Sequence, residues 1–460
     1  MHWHHGFRFQ QIVDRVRGMA RVYGEMPADW QPLQVRFVEF ADQFHVGKLA
    51  CVAGVIDFEP NSVAVSNHVA IMPGAVGSFI LKRTDVAEDE DMKIDDITLT
   101  LFAWDGIPAT QYGQHTGKFS GQSQLGLLTI RTDGGVDGHA FLGASSRGGH
   151  LDAHSLIDHL KSQLMGQDPL DRERLNREMH KRSRATTLRA IGAMDVALWD
   201  IGGKIAGLPI HQLLGSAQAN LPAYASSPTF TSVDDYVEQA QGFKAANWAA
   251  YKIHPPTQWK TDIAVCEAVR KAVGDDYTLM LDSTWAYDFP EAMRVGRAIE
   301  GLGFYWYEDP LAEQDLYNYV KLRNLLDIPI LATEYSPGGF LGYAPWIMQQ
   351  ATDYLRGDVA VKGGITACVK AAHLAEAFGM NFEIHHGGNS LNNFANLHVS
   401  LAIGNCEFFE VLLPDGAQKY GLVEDIVVDG DGLVHAPMEP GLGAKIDFDM
   451  IKAKTIQVLS

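Results

Sequence analysis

The sequence predicts an α/β protein organised around a (β/α)8-type barrel, with a smaller antiparallel and helical segment ahead of it. Three observations predict this. Eight short apolar runs recur after Leu221, at 222–225, 249–253, 278–281, 304–307, 328–332, 357–361, 381–384 and 408–412. The gaps between them hold helix-length amphipathic segments such as 262–273 and 290–301. Acidic or basic residues end successive runs, as expected where barrel strands open onto a shared mouth. A doubly wound sheet is the alternative, but no G-x-G-x-x-G turn follows an early strand.

Taken in order, residues 1–91 read as an extension. They begin with the cluster His2, His4 and His5 and end in the acidic run Glu88-Asp89-Glu90-Asp91. A solvated tail is the simplest reading. The alternation from Lys93 to Leu101 predicts a first strand, and Leu127–Arg131 a second that runs into the turn Thr132-Asp133-Gly134-Gly135. Apolar positions Ile191, Met194, Leu198, Ile201 and Ile205 predict a helix within 187–214, broken by Gly207 and Pro209. The 460 residues carry 37 Lys plus Arg against 56 Asp plus Glu, a formal net charge of −19. Such a balance disfavours binding to nucleic acid. Cys51, Cys266, Cys368 and Cys406 form no CxxC pair, which points to a reduced, cytoplasmic protein without a disulfide framework. No apolar run approaches the ~20 residues of a membrane span.

The chemistry is read from the ends of the runs. These carry Lys252 and His254, Asp282, Glu308, Glu334, Asp358, His385 or His386, and Glu410. Asp282 and Glu308 are 26 residues apart, and so are Glu308 and Glu334. One carboxylate per βα unit sets three side chains on adjacent strands, where their mutual repulsion calls for a cation. An isolated acid at such a position would cap the next helix; three in register point to a metal. Oxygen-only ligands suit Mg²⁺. Lys252 and His254, two residues apart on one strand, face the same way. A carboxylate at Asp358 beside a histidine on the next strand would fix the imidazole tautomer and raise its basicity. A cation that chelates a substrate carboxylate, with a base nearby, suits removal of an α-proton through an enediolate.

Several motifs together resemble the mandelate racemase group of the enolase superfamily. They are Ala197-Leu198-Trp199-Asp200, Gly203-Lys204, Leu213-Leu214-Gly215, Tyr307-Glu308-Asp309-Pro310-Leu311, Lys362-Gly363-Gly364-Ile365-Thr366 and Pro440-Gly441-Leu442-Gly443. The resemblance covers about 92–451. It implies an enolase-like modified barrel whose mouth is covered by an α+β capping domain made from the N-terminal part and the C-terminal tail. The expected division is an extension at 1–91, a cap at 92–215, a barrel at 216–430 and a returning segment at 431–460. The family pattern implies Asp282, Glu308 and Glu334 as Mg²⁺ ligands, Asp358 and His386 as a dyad, and Glu410 as an electrophilic acid. His386 is preferred to His385 because it directly precedes Gly387-Gly388. Cap loops at about 107–122 and 144–151 would set specificity, with Tyr112, His115 and Lys118 as candidates.

Two departures stand out. Many relatives have Lys-x-Lys where this chain has Lys252-x-His254, leaving either as the second acid/base. Asp282 is followed by Ser283-Thr284 rather than x-Asn, making Thr284 a candidate contact to water or substrate. The resemblance implies a homo-oligomer, a dimer or octamer. It also implies an acid-sugar dehydratase forming a 2-keto-3-deoxy acid, with a racemase, epimerase or cycloisomerase as alternatives. A barrel that has lost activity is the non-enzymatic reading.

Overall fold

In the computed structural model, residues 92–460 apart from 115 are described. The 1–91 extension with its histidine cluster, Cys51 and His115 lie outside the described residues.

An antiparallel sheet comes first. β1 (Ile94–Thr110), β2 (Phe119–Thr132) and β3 (Gly138–Leu142) form a meander, and the last strand of the chain, β13 (Thr455–Leu459), returns to pair with β1. The register sets Leu99 opposite Leu128 on one side and Leu459 on the other. The long helix α1 (Leu188–Ala206) packs on this sheet. Its N-cap is Thr187, whose side chain accepts from the Ala190 N–H, and it stops at Gly207, φ 65°. A Cβ at Gly138 would meet the Ala197 carbonyl oxygen at 2.2 Å, so only glycine permits the helix to sit this close to the sheet.

The second sheet is the barrel. Its parallel strands are β4 (Asn220–Ser226), β5 (Ala250–Ile253), β6 (Thr278–Asp282), β7 (Tyr307–Glu308), β8 (Ile330–Ala332), β9 (Tyr354–Gly357), β10 (Phe382–Ile384) and β11 (Phe409–Leu412). β4 through β10 are neighbours in sequence order, and β11 pairs with β4. The ring is nearly closed, with β10 and β11 at its two ends. A short strand, β12 (Leu433–His435), runs antiparallel along the start of β4. Among the described residues no helix is long and apolar enough to cross a membrane. Cys266, Cys368 and Cys406 are free and buried.

Alternation along the strands decides what fills the barrel. Tyr224, Ala250, Met280, Trp306 and Leu331 pack together as a buried layer, with Tyr354 and Phe408 against it. Two residues further along, the same inward direction presents Ser226, Lys252, Asp282, Glu308, Arg356 and Glu410. The apolar floor therefore carries a charged storey directly above it.

One strand differs from expectation. The run at 357–361 does not form the sixth barrel strand. β9 ends at Gly357, and Val359–Lys362 is a helical turn capped by Asp358, whose side chain accepts from the Ala360 N–H. A buried arginine in the middle of Tyr354–Gly357 breaks the apolar pattern that marks the other strands.

Candidate active site

The site is built where β5 to β11 end. Lys252 Nζ lies 3.2 Å from Asp282 Oδ2, 2.9 Å from Glu308 Oε2 and 2.8 Å from Glu410 Oε1. Arg356, completely buried, sets Nε 2.6 Å from Glu308 Oε1 and 3.5 Å from Glu334 Oε2, and its Nη2 meets Glu410 Oε2. Two cations thus knit four acids. Burial alone would raise Asp282, but Lys252 and His254 hold its carboxyl well below the ordinary range. Burial likewise opposes ionisation of Glu410, and Arg356 and Lys252 outweigh it to hold that carboxyl low. Glu308 goes the other way: burial, only partly offset by Arg356, pushes it up to about 7.

The three expected metal ligands are not helix caps. The helices that follow the first two use their own acids: Asp288 forms a capping box with Glu291, and Asp315 accepts from the Asn318 N–H; the short turn after Glu334 starts at Gly338 with no side-chain cap. Asp282 instead accepts from the Thr284 N–H at 2.9 Å. Strained backbone clusters beside the same three acids. Thr284, Trp285 and Asp309 have φ of 45°, 50° and 40°, and Thr333, just before Glu334, has φ 90°. Such conformations cost on the order of 1–3 kcal/mol each and persist where surrounding structure enforces them.

The donor chemistry fits a hard divalent cation. Glu308 Oε1 is buried without a hydrogen-bond donor, since Arg356 Nε sits close but off the hydrogen-bonding direction; Asp309 Oδ1 and Thr284 Oγ1 are also buried and unpartnered. The geometry differs from the closed triad expected. Among the described residues no three Asp, Glu, His or Cys side chains are gathered closely enough to hold a metal ion. Lys252 and Arg356 stand among the acids and take up their charge.

His254 hangs from the Ser227 carbonyl oxygen, 2.7 Å from Nδ1, and turns Nε2 to Asp282 Oδ2 at 2.9 Å. Tyr112 tilts its ring toward the imidazole, centroids 5.2 Å apart, donates its hydroxyl to the Leu413 carbonyl at 2.6 Å and accepts from Gln418 Nε2 at 2.7 Å.

The dyad is formed by His385, not His386. His385 Nδ1 is 2.8 Å from Asp358 Oδ2, and its Nε2 lies 3.6 Å from Glu334 Oε1. Burial disfavours the imidazolium, but the Glu334 and Asp358 carboxylates outweigh it and raise its pKa to about 9. His386 points the opposite way. It packs on Phe409 with ring centroids 3.9 Å apart, and burial drives its pKa down to about 3. The reason is the strand period: Glu383 and His385 share the inward side, while Ile384 and His386 face out. Asp358 is held at about 2, against its burial, by His385 and by Asn392, whose amide donates to Oδ1 at 3.0 Å. Asn396 donates to the same oxygen at 3.1 Å and to the His385 carbonyl at 2.9 Å.

A cavity opens above this storey, lined by Tyr112, His254, Asp282, Thr284, Glu334, Asp358 and His385. Lys252, Glu308 and Glu410 lie beneath it and do not line it, so Glu410 does not reach the cavity as the expected electrophilic acid. Lys118 is exposed and outside the lining. Sequence reasoning missed Arg356, Asn392 and Asn396. The period-two step from Tyr354 would have exposed Arg356 and Asp358 together.

Fold and site define a carboxylate-lined barrel enzyme of the enolase type. Residues 235–450 match the model of the enolase C-terminal domain-like family, and 113–215 that of the mandelate racemase/muconate lactonizing enzyme N-terminal domain. The chain is 34% identical to the crystal structure of D-glucarate dehydratase from Agrobacterium tumefaciens complexed with magnesium, with TM-score 0.72, covering 80% of this chain and 100% of that one. It is 28% identical over 344 residues to arabinonate dehydratase of Saccharolobus solfataricus, covering 69% of this chain and 89% of the relative. It is 27% identical over 331 residues to L-talarate/galactarate dehydratase of Salmonella typhimurium, covering 70% and 81%. The chain belongs to the mandelate racemase/muconate lactonizing enzyme family of the enolase superfamily.

Proposed function

We propose that the chain is a Mg²⁺-dependent acid-sugar dehydratase, a hydro-lyase that turns a sugar acid into a 2-keto-3-deoxy acid. The observation that carries this reading is the placement of two tethered imidazoles, His254 and His385, around one carboxylate-lined cavity. Asp282, Glu308 and Glu334 would hold Mg²⁺, which supplies charge to bind the substrate carboxylate and to stabilise the enediolate. Relatives of both aldonate and aldarate types match the chain, which agrees with the reaction class and leaves the sugar acid open.

The residues divide the work. One imidazole takes the α-proton as the C–H bond breaks, and the electron pair enters the enediolate. Collapse of that species breaks the β-carbon–oxygen bond. His385, with Nδ1 fixed by Asp358 and Nε2 toward the cavity, gives its proton to the departing hydroxyl, which leaves as water. The enol then tautomerises to the ketone. Lys252 is unsuited to be the base, because three carboxylates surround its ammonium and hold its proton. His254 is therefore the second acid/base, and Lys252 and Arg356 are fixed cations beneath the reacting carbons.

The test is incubation of the protein with Mg²⁺ and a panel of aldonic and aldaric acids, with 2-keto acid formation and solvent deuterium uptake followed together. Production of a 2-keto acid is expected. Deuterium uptake at the α-carbon without 2-keto acid would replace the dehydratase reading with a racemase or epimerase.

A further inference from the structure

The cavity has a second charged feature that the proton-transfer chemistry leaves unused. Four lining side chains can carry positive charge: Arg147, Arg189, His254 and His385. Three are already committed to carboxylates. Arg147 forks onto both oxygens of Asp152. His254 is on Asp282 and His385 on Asp358. Of these four, Arg189 alone forms no ion pair with a carboxylate among the described residues. Its only hydrogen bond among the described residues is Nη2 to the Tyr335 hydroxyl at 3.4 Å, with the guanidinium 5.8 Å from the Tyr335 ring centroid.

Its position is built rather than incidental. Arg189 lies in the first turn of α1, the helix that packs the antiparallel sheet against the barrel, and it is half-buried. Tyr335, which carries it, is braced edge-on by Trp285, ring centroids 5.8 Å apart. Both aromatic residues line the same cavity. Most of an arginine's hydrogen-bonding capacity is thus held at the cavity wall and left unsatisfied by protein. A guanidinium so placed suits a carboxylate, which it grips through two parallel hydrogen bonds.

We infer that Arg189 is a substrate-specificity residue that receives a second carboxylate, so that the preferred substrates are dicarboxylic sugar acids. The inference rests on the dehydratase reading for its chemistry and names the substrate class of that same site. The reacting end of the acid sits over Asp282 and Glu334. The far carboxylate reaches Arg189, whose guanidinium forms no ion pair with a carboxylate among the described residues.

The experiment compares hexaric acids with the matching hexonic acids, using the full chain with Mg²⁺ and the variants Arg189→Met and Arg189→Lys. Charge-assisted bidentate contacts lead us to expect kcat/KM for the best hexarate to fall by roughly 10- to 100-fold in Arg189→Met. The loss for the matching hexonate should be at least tenfold smaller, and Arg189→Lys should fall between, since it keeps the charge without the fork. Equal losses on both acids, or a wild-type preference for hexonates, would overturn the inference while leaving the dehydratase reading intact. A preference for phosphorylated aldonates would overturn the dicarboxylate assignment. Turnover of no acid would sink the dehydratase reading instead. In that case thermal shift decides: stabilisation of the wild type by hexarates but not hexonates, lost in Arg189→Met, is the expected result, and its absence refutes the role of Arg189. The melting profile of each variant without ligand shows that it folds.

Discussion

The two halves of the barrel mouth were built by the same rule and read with unequal success. On β6 to β8, apolar strands end in charge, with Asp282 and Glu308 at the strand ends and Glu334 just past one; on β5 the run end also places Lys252, a buried charge within the strand, with His254 just beyond it. On β9 to β11 charge lies within or beside the strand: Arg356 is the third residue of β9 and Glu383 the second of β10, both buried. A run-end rule works when polarity begins where the strand stops. It fails when a strand carries a buried ion, and then only the period-two alternation keeps the register.

The sharpest way to break the comparison is at the neighbouring histidines. His385→Asn should lower kcat by about 10²–10⁴-fold, the usual contribution of a positioned acid or base. His386→Asn, outside the cavity, should lose less than about tenfold. Steady-state kinetics on a turned-over sugar acid measures both. Comparable losses, or the reverse order, would return the dyad to His386.

Arg356 tests the other half of the same lesson. Removing one member of a buried ion cluster typically costs about 3–5 kcal/mol, because the remaining charges are left uncompensated. Arg356→Met strands Glu308, Glu334 and Glu410 on one side of the cluster. Its denaturant midpoint should fall by an amount corresponding to that range, and Arg356→Lys should recover part of it. A variant as stable as the parent would show that Lys252 alone balances the acids. In the legible half, Glu308→Gln should weaken Mg²⁺ binding by at least about tenfold, the scale on which even outer partners of a metal site count. Calorimetric titration reads it, and unchanged affinity would remove Glu308 from the ligand set.

How much was legible follows from particular residues. The barrel was visible because apolar runs and amphipathic helices alternate at nearly constant spacing, and the antiparallel start because Lys93–Leu101 alternates. The return of β13 to β1 was not visible in Thr455–Leu459 itself, which is largely exposed and has no strong pattern. It entered only through the family resemblance. The dyad was half-visible: Asp358 was found, but two adjacent histidines cannot be separated by run ends, only by which of them shares a face with Glu383. The asparagines were invisible because Asn392 and Asn396 look like poor helix formers within Ser390–Ala402. Their amides compensate by serving Asp358 and the His385 carbonyl.

Asn396 gives the smallest effect and the most specific signature. Asp358 is held at about 2 against a reference of 3.8. A carboxyl depressed on folding adds stability above its unfolded pKa and loses it as pH falls through the folded one, here worth about 2 kcal/mol. Asn396→Ala removes one donor from the ionised form, so the Asp358 pKa should rise and part of that stability should go. The gap in denaturant midpoint between parent and variant should be full above pH 5 and narrow as pH falls from 4 toward 2, because both proteins then hold a neutral Asp358. Turnover should drop about tenfold through kcat with KM little changed, since the asparagine orients the dyad without lining its base. A constant gap across that pH range would mean that Asn396 matters only for packing the helix, and that Asp358 is fixed by His385 and Asn392 alone.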